Sequence, residues 1–221
     1  MDTREILYSV GRAYRDYASA FEYGKTSDEL FGAFKQSLDN SLGSYEIVYD
    51  YIWGADSLGI DGVTIGYVPK AHDTLIMDIS VGVDGVWCDV CRTFFVGEPS
   101  DEQIKAYKTV LASVRAGHRA LRDGVEARDV YAAVNTVYES VGKSLVHHAG
   151  HRIGEAPLLQ PQFITENNDK LVVGNTYTVE SGIYEDFGIR LENDYLISEE
   201  GAEDLFEDIL PLDEIKEYIL K

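Results

Sequence analysis

The stretch DISVGVDGVWCDVCRTF, running from Asp78 to Phe94, sets two aspartates eleven residues apart with a Gly/Asp-rich break between them. The flanking runs are β-branched and aromatic, so the segment reads as two strands of a hairpin. Opposed residues of an antiparallel hairpin have position numbers of constant sum. Taking Asp78 and Asp89 as opposed centres the turn between Val83 and Asp84, inside the break, and brings their Cβ atoms to roughly 5 Å. Two ionised carboxylates that close in a core must share a proton, meet a cation or bind a metal.

The rest of the chain repeats this plan. Ile6, Val10, Ala13, Tyr17 and Phe21 recur at helical spacing and predict an amphipathic helix over 4–21. Ser27 serves as the expected N-cap of a second helix with Leu30, Phe34 and Leu38 on one face. Strands follow at Tyr45–Trp53, Leu75–Ser80 and Val86–Val96. Ser100 and Gln103 then form a capping box that opens a helix carrying Ile104, Tyr107, Leu111, Val114 and Leu121, ended near Gly124. Val130, Val134, Val137 and Val141 mark a fourth helix, and Thr176–Ser181 and Ile189–Ile197 read as strands. The order is α-α-β-β-β twice, in halves of about 3–98 and 100–200 joined in one sheet. An α+β fold in a single domain over 1–221 is expected.

The second half carries acids at matching places. Glu180 in TYTVESGIY and Glu192 in GIRLENDYLI centre their turn on Asp186. HHAGHRIG, His147 to Gly154, supplies three of the chain's five histidines. An imidazole added to four carboxylates makes a mostly oxygen site suited to Mn, Co, Fe or Zn. The residues alone therefore point to a metal site, dinuclear if carboxylates bridge, in a two-fold scaffold.

Composition narrows the function classes. A formal charge of −20, from 39 acidic and 19 basic residues, repels phosphate backbones and anionic lipid, so nucleic acid and membrane are not expected partners. The chain of 221 residues has no apolar run near twenty and no signal peptide at its charged start, which predicts a cytoplasmic protein. Cys88 and Cys91, three apart on one strand, point to opposite faces and are expected to be reduced thiols.

These motifs resemble the pita-bread metallopeptidases: methionine aminopeptidase, aminopeptidase P, Xaa-Pro dipeptidase and creatinase. The hairpin is similar to the family's paired-aspartate segment ending in Asp-x-x-Arg-Thr-Phe. HHAGHRIG resembles His-x-x-Gly-His-Gly-Ile-Gly, TVESGIY resembles Val-Glu-Pro-Gly-Ile-Tyr, and GIRLENDYLI resembles Gly-x-Arg-x-Glu-Asp. The resemblance implies the pita-bread fold, with Asp78, Asp89, His151, Glu180 and Glu192 as metal ligands to two divalent ions, Mn or Co first and Zn or Fe next. It implies hydrolysis of the N-terminal peptide bond of short peptides, as in the Xaa-Pro branch, through a metal-bridging hydroxide with Glu180 as general base. A homodimer is implied by analogy, and the extra N-terminal domain of the Xaa-Pro relatives is not expected here.

Certain positions depart from the family pattern. The histidine of the family's His-Glu-x-Pro segment falls on Leu158 in an ungapped alignment and on Gly154 with a four-residue deletion. His72 lies too near Asp78 to replace an upstream family histidine and is expected in an exposed turn. His147 and His148 are the candidates for substrate contact, and Tyr184 reads as core. Arg190 is expected either to bind a substrate carboxylate or to form a structural ion pair. A non-peptidase metalloenzyme, such as a lyase or another small-molecule hydrolase, and a binding protein without turnover are the alternatives.

Overall fold

Helix ends fall where capping chemistry puts them. In the computed structural model, which describes residues 1–54 and 59–221, α1 (Thr3–Ala20) opens on a capping box between Asp2 and Glu5. α2 (Ser27–Leu42) is capped by Thr26 with Glu29, not by Ser27 as the sequence suggested. Ser27 lies one position inside, buried, and donates its hydroxyl to the Thr64 carbonyl at 2.9 Å. α3 (Asp101–Ala120) starts on the expected Ser100–Gln103 box. α4 (Ala127–Glu139) buries Val130 and Val134, while Val141 lies beyond its end and is exposed.

The strands are β1 (Glu46–Trp53), β2 (Thr74–Val83), β3 (Val86–Val96), β4 (His151–Ile153), β5 (Leu159–Gln162), β6 (Thr176–Tyr184) and β7 (Gly188–Ser198). They form one sheet in the order β1-β2-β3-β7-β6-β4-β5. β8 (Gly201–Asp204) adds to β7, and β9 (Ile219–Leu220), after a short 3₁₀ helix at Ile215–Tyr218, runs parallel to β3. The two halves meet where β3 lies against β7, and β4 and β5 are strands that the α-α-β-β-β reading did not resolve.

Strand alternation divides the sheet into two chemistries. Leu75, Met77, Ile79 and Val81 of β2, Cys88 and Val90 of β3, Val179 of β6 and Ile189 and Leu191 of β7 join the helices in the main core. The residues between them turn to the opposite face, and these include Asp78, Asp89, Glu180, Arg190, Glu192 and Asp194.

The first hairpin departs from the register inferred above. Asp78 pairs with Cys91 and Ser80 with Asp89, because the turn is the two-residue Asp84–Gly85, both at positive φ (53° and 79°). That is the preferred geometry of a tight hairpin with Asp-Gly at its tip, and it moves the turn centre by one position. Asp78 and Asp89 are therefore diagonal neighbours on one face. Glu180 and Glu192 pair directly, as their sum predicts.

Side chains stitch β3 to β7. One backbone position pairs across this junction, Cys91 with Glu192. On one side Asp194 accepts the Asp89 N–H at 3.1 Å. On the other the Thr93 hydroxyl donates to the Arg190 carbonyl and accepts the Arg190 N–H, both at 2.9 Å. The fully buried Arg92 donates to the carbonyls of Glu192 (2.8 Å), Cys91 (2.9 Å) and Leu210 (2.6 Å) and to the Tyr218 hydroxyl (3.1 Å). Replacing Arg92 by Leu strands these acceptors, and the expected cost is about 3 kcal/mol of unfolding free energy. Urea denaturation measures it, and a loss below about 1 kcal/mol contradicts the stitching role.

Candidate metal centre

The five expected ligands converge on one cleft. Asp78 from β2, Asp89 from β3, Glu180 from β6, Glu192 from β7 and His151 from β4 line a cavity of about 170 Å³ on the helix-free face of the sheet. Asp89, His151 and Glu192 each offer a ligand atom, and these atoms lie within 4.8 Å of one another. All three are buried, as is Glu180.

Local sequence sets the imidazole. Gly150 takes φ 131°, and a Cβ there would stand 2.2 Å from the Thr178 carbonyl oxygen, so only glycine lets the chain press against β6 before His151. The His151 N–H then donates to Thr178 Oγ1 at 3.2 Å. Its Nδ1 lies 2.9 Å from the Arg152 carbonyl, which can only accept, so Nε2 is the nitrogen left to ligate. That Nε2 stands 3.6 Å from Asp89 Oδ2.

Charge in the cleft is unbalanced. Burial pushes the Glu192 carboxyl well above its usual range, and the neighbouring Asp89, Glu180 and Asp78 push it further. Burial likewise raises Asp78, although Arg190 opposes it. Glu180 goes the other way. Burial opposes its charge, but His148, His147 and Arg190 outweigh burial and hold it down to about 2. Asp89 Oδ1 and Glu192 Oε1 are buried without any hydrogen-bond partner. Orphaned carboxylate oxygens beside an imidazole nitrogen form an all oxygen and nitrogen ligand set that fits a hard or borderline divalent cation.

The remaining candidates divide. Arg190 lines the cleft but spends its guanidinium on protein groups. Nε lies 3.1 Å from Asp78, one terminal nitrogen 3.0 Å from Asp50, and the other 2.6 Å from the Ile60 carbonyl. His147 is fixed by the His148 carbonyl (2.6 Å) and by the Tyr184 hydroxyl (3.1 Å). Tyr184, partly buried, packs against Ile52, Ile76 and Cys91. His148 Nδ1 stands 2.9 Å from Glu180 Oε1. His72 sits exposed in its turn, away from the cleft. Leu158 lines the cleft, and Glu155 pairs with Arg152.

Asp50 and Asp194 escaped the sequence reading. Asp50 pairs with Asp78 across β1 and β2, and its signal, an acid inside the apolar run YEIVYDYIW, is the same one that marked Asp78. Asp194 is fully buried, with Oδ1 unpartnered, and lay two places past Glu192 in a segment read for Arg190 and Glu192.

The sequence model described as Metallopeptidase family M24 matches residues 4–199. A probable dipeptidase, PepE, of Mycobacterium tuberculosis is 33% identical over 138 residues, covering 60% of this chain and 37% of that protein. An uncharacterized peptidase of Staphylococcus aureus is 27% identical over 191 residues, covering 84% of this chain and 54% of its own length. Among solved structures, the prolidase of Pyrococcus furiosus superposes with a TM-score of 0.86 at 22% identity, over 92% of this chain and 62% of that one. The X-Pro aminopeptidase of Thermotoga maritima gives 0.87 at 23% identity, over 92% and 59%. The chain thus spans about two fifths to three fifths of the length of these relatives, and the pita-bread fold is theirs in common.

Proton linkage in the centre is testable. Burial lowers the His151 pKa, but Asp89 and Glu180 outweigh it and raise it to about 9 in the metal-free protein. Below that pH a ligating cation must displace the imidazole proton. Affinity for Mn is therefore expected to tighten as pH rises from 7 toward about 9, with proton release measurable by calorimetry in buffers of different ionisation enthalpy. Affinity independent of pH over this range excludes His151 from the ligand set.

Proposed function

As the chain belongs to metallopeptidase family M24, we propose that it is a metal-dependent hydrolase of the N-terminal peptide bond in short peptides, of the dipeptidase and prolidase type. The observation that carries the reading is the buried donor set, with its orphaned Asp89 and Glu192 oxygens open to one small cleft. Asp78, Asp89, His151, Glu180 and Glu192 would hold two divalent ions, Mn or Co before Zn or Fe. When bound, such ions acidify water and polarise a carbonyl.

The chain's own groups supply the rest. Glu180, kept ionised beside His148 and His147, is the general base that takes a proton from the attacking water and passes it to the leaving nitrogen. Arg190, clamped between Asp78 and Asp50, holds Asp78 in place and neutralises part of the acid cluster. A cleft of about 170 Å³ admits a short peptide end and little more. The name of the mycobacterial relative, probable dipeptidase, supports the same substrate size.

One observation favours a second reading. Leu158 lines the cleft where the ungapped alignment places the family's histidine, and an apolar group there suits a small-molecule hydrolase or lyase as well. A cytoplasmic location, supported by the free thiols of Cys88 and Cys91, and a homodimer complete the proposal. Among the described residues no helix is long and apolar enough to cross a membrane.

Protein loaded with Mn or Co is expected to cleave dipeptides above buffer. Glu180→Gln should lower kcat by about 100- to 10,000-fold, the usual range for a lost general base. A wild-type protein with a filled site by elemental analysis and no peptide turnover ends the peptidase reading, and a parallel screen of small acids then decides for the second.

A further inference from the structure

A substrate carboxylate entering the cleft would look first to Arg190, and the structure commits that side chain elsewhere. Among the described residues that line the cleft, Arg190 is the only lysine or arginine. Its guanidinium is always charged and has donors but no acceptor. Nε stands 3.1 Å from Asp78 Oδ2, one terminal nitrogen donates to Asp50 Oδ2 at 3.0 Å, and the other donates to the Ile60 carbonyl at 2.6 Å. The side chain is 3% exposed, so no ligand reaches it without breaking these contacts.

The other charges of the cleft leave a surplus of acid. Asp78, Asp89, Glu180 and Glu192 would be matched by two divalent ions, and Asp50 is matched by Arg190. Asp61, exposed and lining the same cleft, has no such counterpart among the described residues. His148 stands 2.9 Å from Glu180, so any charge on that ring faces a carboxylate already present. Val48 and Leu158 add apolar lining, 54% and 50% exposed. A neutral amide can lie on such a surface, whereas a carboxylate there loses water and meets no cation.

In a dipeptide the carbon attached to the leaving nitrogen also carries the free carboxylate. Any pose that puts the scissile bond beside Glu180 therefore draws that carboxylate into the cleft. We propose that the cleft selects against it, so that the preferred substrates are peptides whose second residue is itself in amide linkage: tripeptides, longer peptides and dipeptide amides. The inference rests on the peptidase reading and narrows its substrate class. Like charges set facing one another at a recognition surface suppress the wrong partner, and Asp61 supplies that repulsion.

The test compares Ala-Ala with Ala-Ala amide, which lacks that charge. Turnover is measured on Mn-loaded wild type, Asp61→Asn and Asp61→Lys, and affinity by calorimetry in the cold, where turnover is slow. Melting temperature and metal content are the controls on folding and loading. Wild type is expected to favour the amide by about ten-fold in kcat/KM and in Kd, and the preference should shrink as salt rises from about 0.01 to about 1 M. Asp61→Asn should reduce it to about three-fold, and Asp61→Lys, which brings the absent cation, to about one or below. A wild-type ratio of about one or less overturns the proposal whether or not the variants fold, and so does a preference that neither salt nor Asp61→Lys changes. If no peptide is cleaved but the amide binds more tightly in this charge-dependent way, the peptidase reading falls and the selection stands. Cleavage without preference gives the reverse. Wild type that binds neither peptide overturns both.

Discussion

The junction of β3 with β7 is the constraint on which the site depends. Of the five proposed ligand positions, Asp89 and Glu192 lie on these two strands, and their spacing is set by how closely the strands approach. A full backbone ladder would leave no room for the side-chain bonds found there. Instead one pairing position is flanked by Asp194 on the Asp89 amide and Thr93 on both polar groups of Arg190. Arg92 locks the junction from the core side through carbonyls of both strands and of the C-terminal segment. Buried charge is costly unless its donors are satisfied, and Arg92 meets that condition with neutral oxygens alone.

Electrostatics inside the cleft follow from the same crowding. Four carboxylates and an imidazole share one wall of an otherwise tightly packed sheet, and Arg190 is the strong cation placed among them. Its two ion pairs remove Asp78 and Asp50 from the count of unbalanced acids. What remains, Asp89, Glu180 and Glu192 with His151, is still acidic, and burial keeps solvent from screening it. The centre therefore gains most from a compact divalent charge, which links its stability to metal supply.

Much of this was legible in the sequence, for identifiable reasons. Asp78, Asp89, Glu180 and Glu192 stood out because an acid in a β-branched run has no ordinary structural use, and the period of two then fixed which face they share. The capping box at Ser100 and the turn residues carried the element boundaries, whereas the box at Asp2 went unread. What stayed hidden depended on details beyond composition. A shift of one position in the Asp84–Gly85 turn converts opposed aspartates into diagonal ones. Helix α2 is capped by Thr26 and not Ser27 because Thr26 is followed at the third position by Glu29, whose side chain caps back. Arg190 had two readings of equal merit, and only the position of Asp50 on the neighbouring strand shows where its guanidinium goes.

The register across the junction also bears on how such a site can arise. Asp78 pairs with Cys91 as Glu180 pairs with Glu192, so the two-fold relation maps Cys91 onto Glu192 and Asp89 onto Arg190. Two identical copies of the first half would oppose thiol to thiol at the axis and hold four aspartates with no imidazole. Two copies of the second would set glutamate against glutamate with an arginine at each place where Asp89 is needed. The proposed metal site thus belongs to neither half. Any ancestor made of two equal pieces could have had the fold, but this constellation required the pieces to be fused and then to diverge at these few positions.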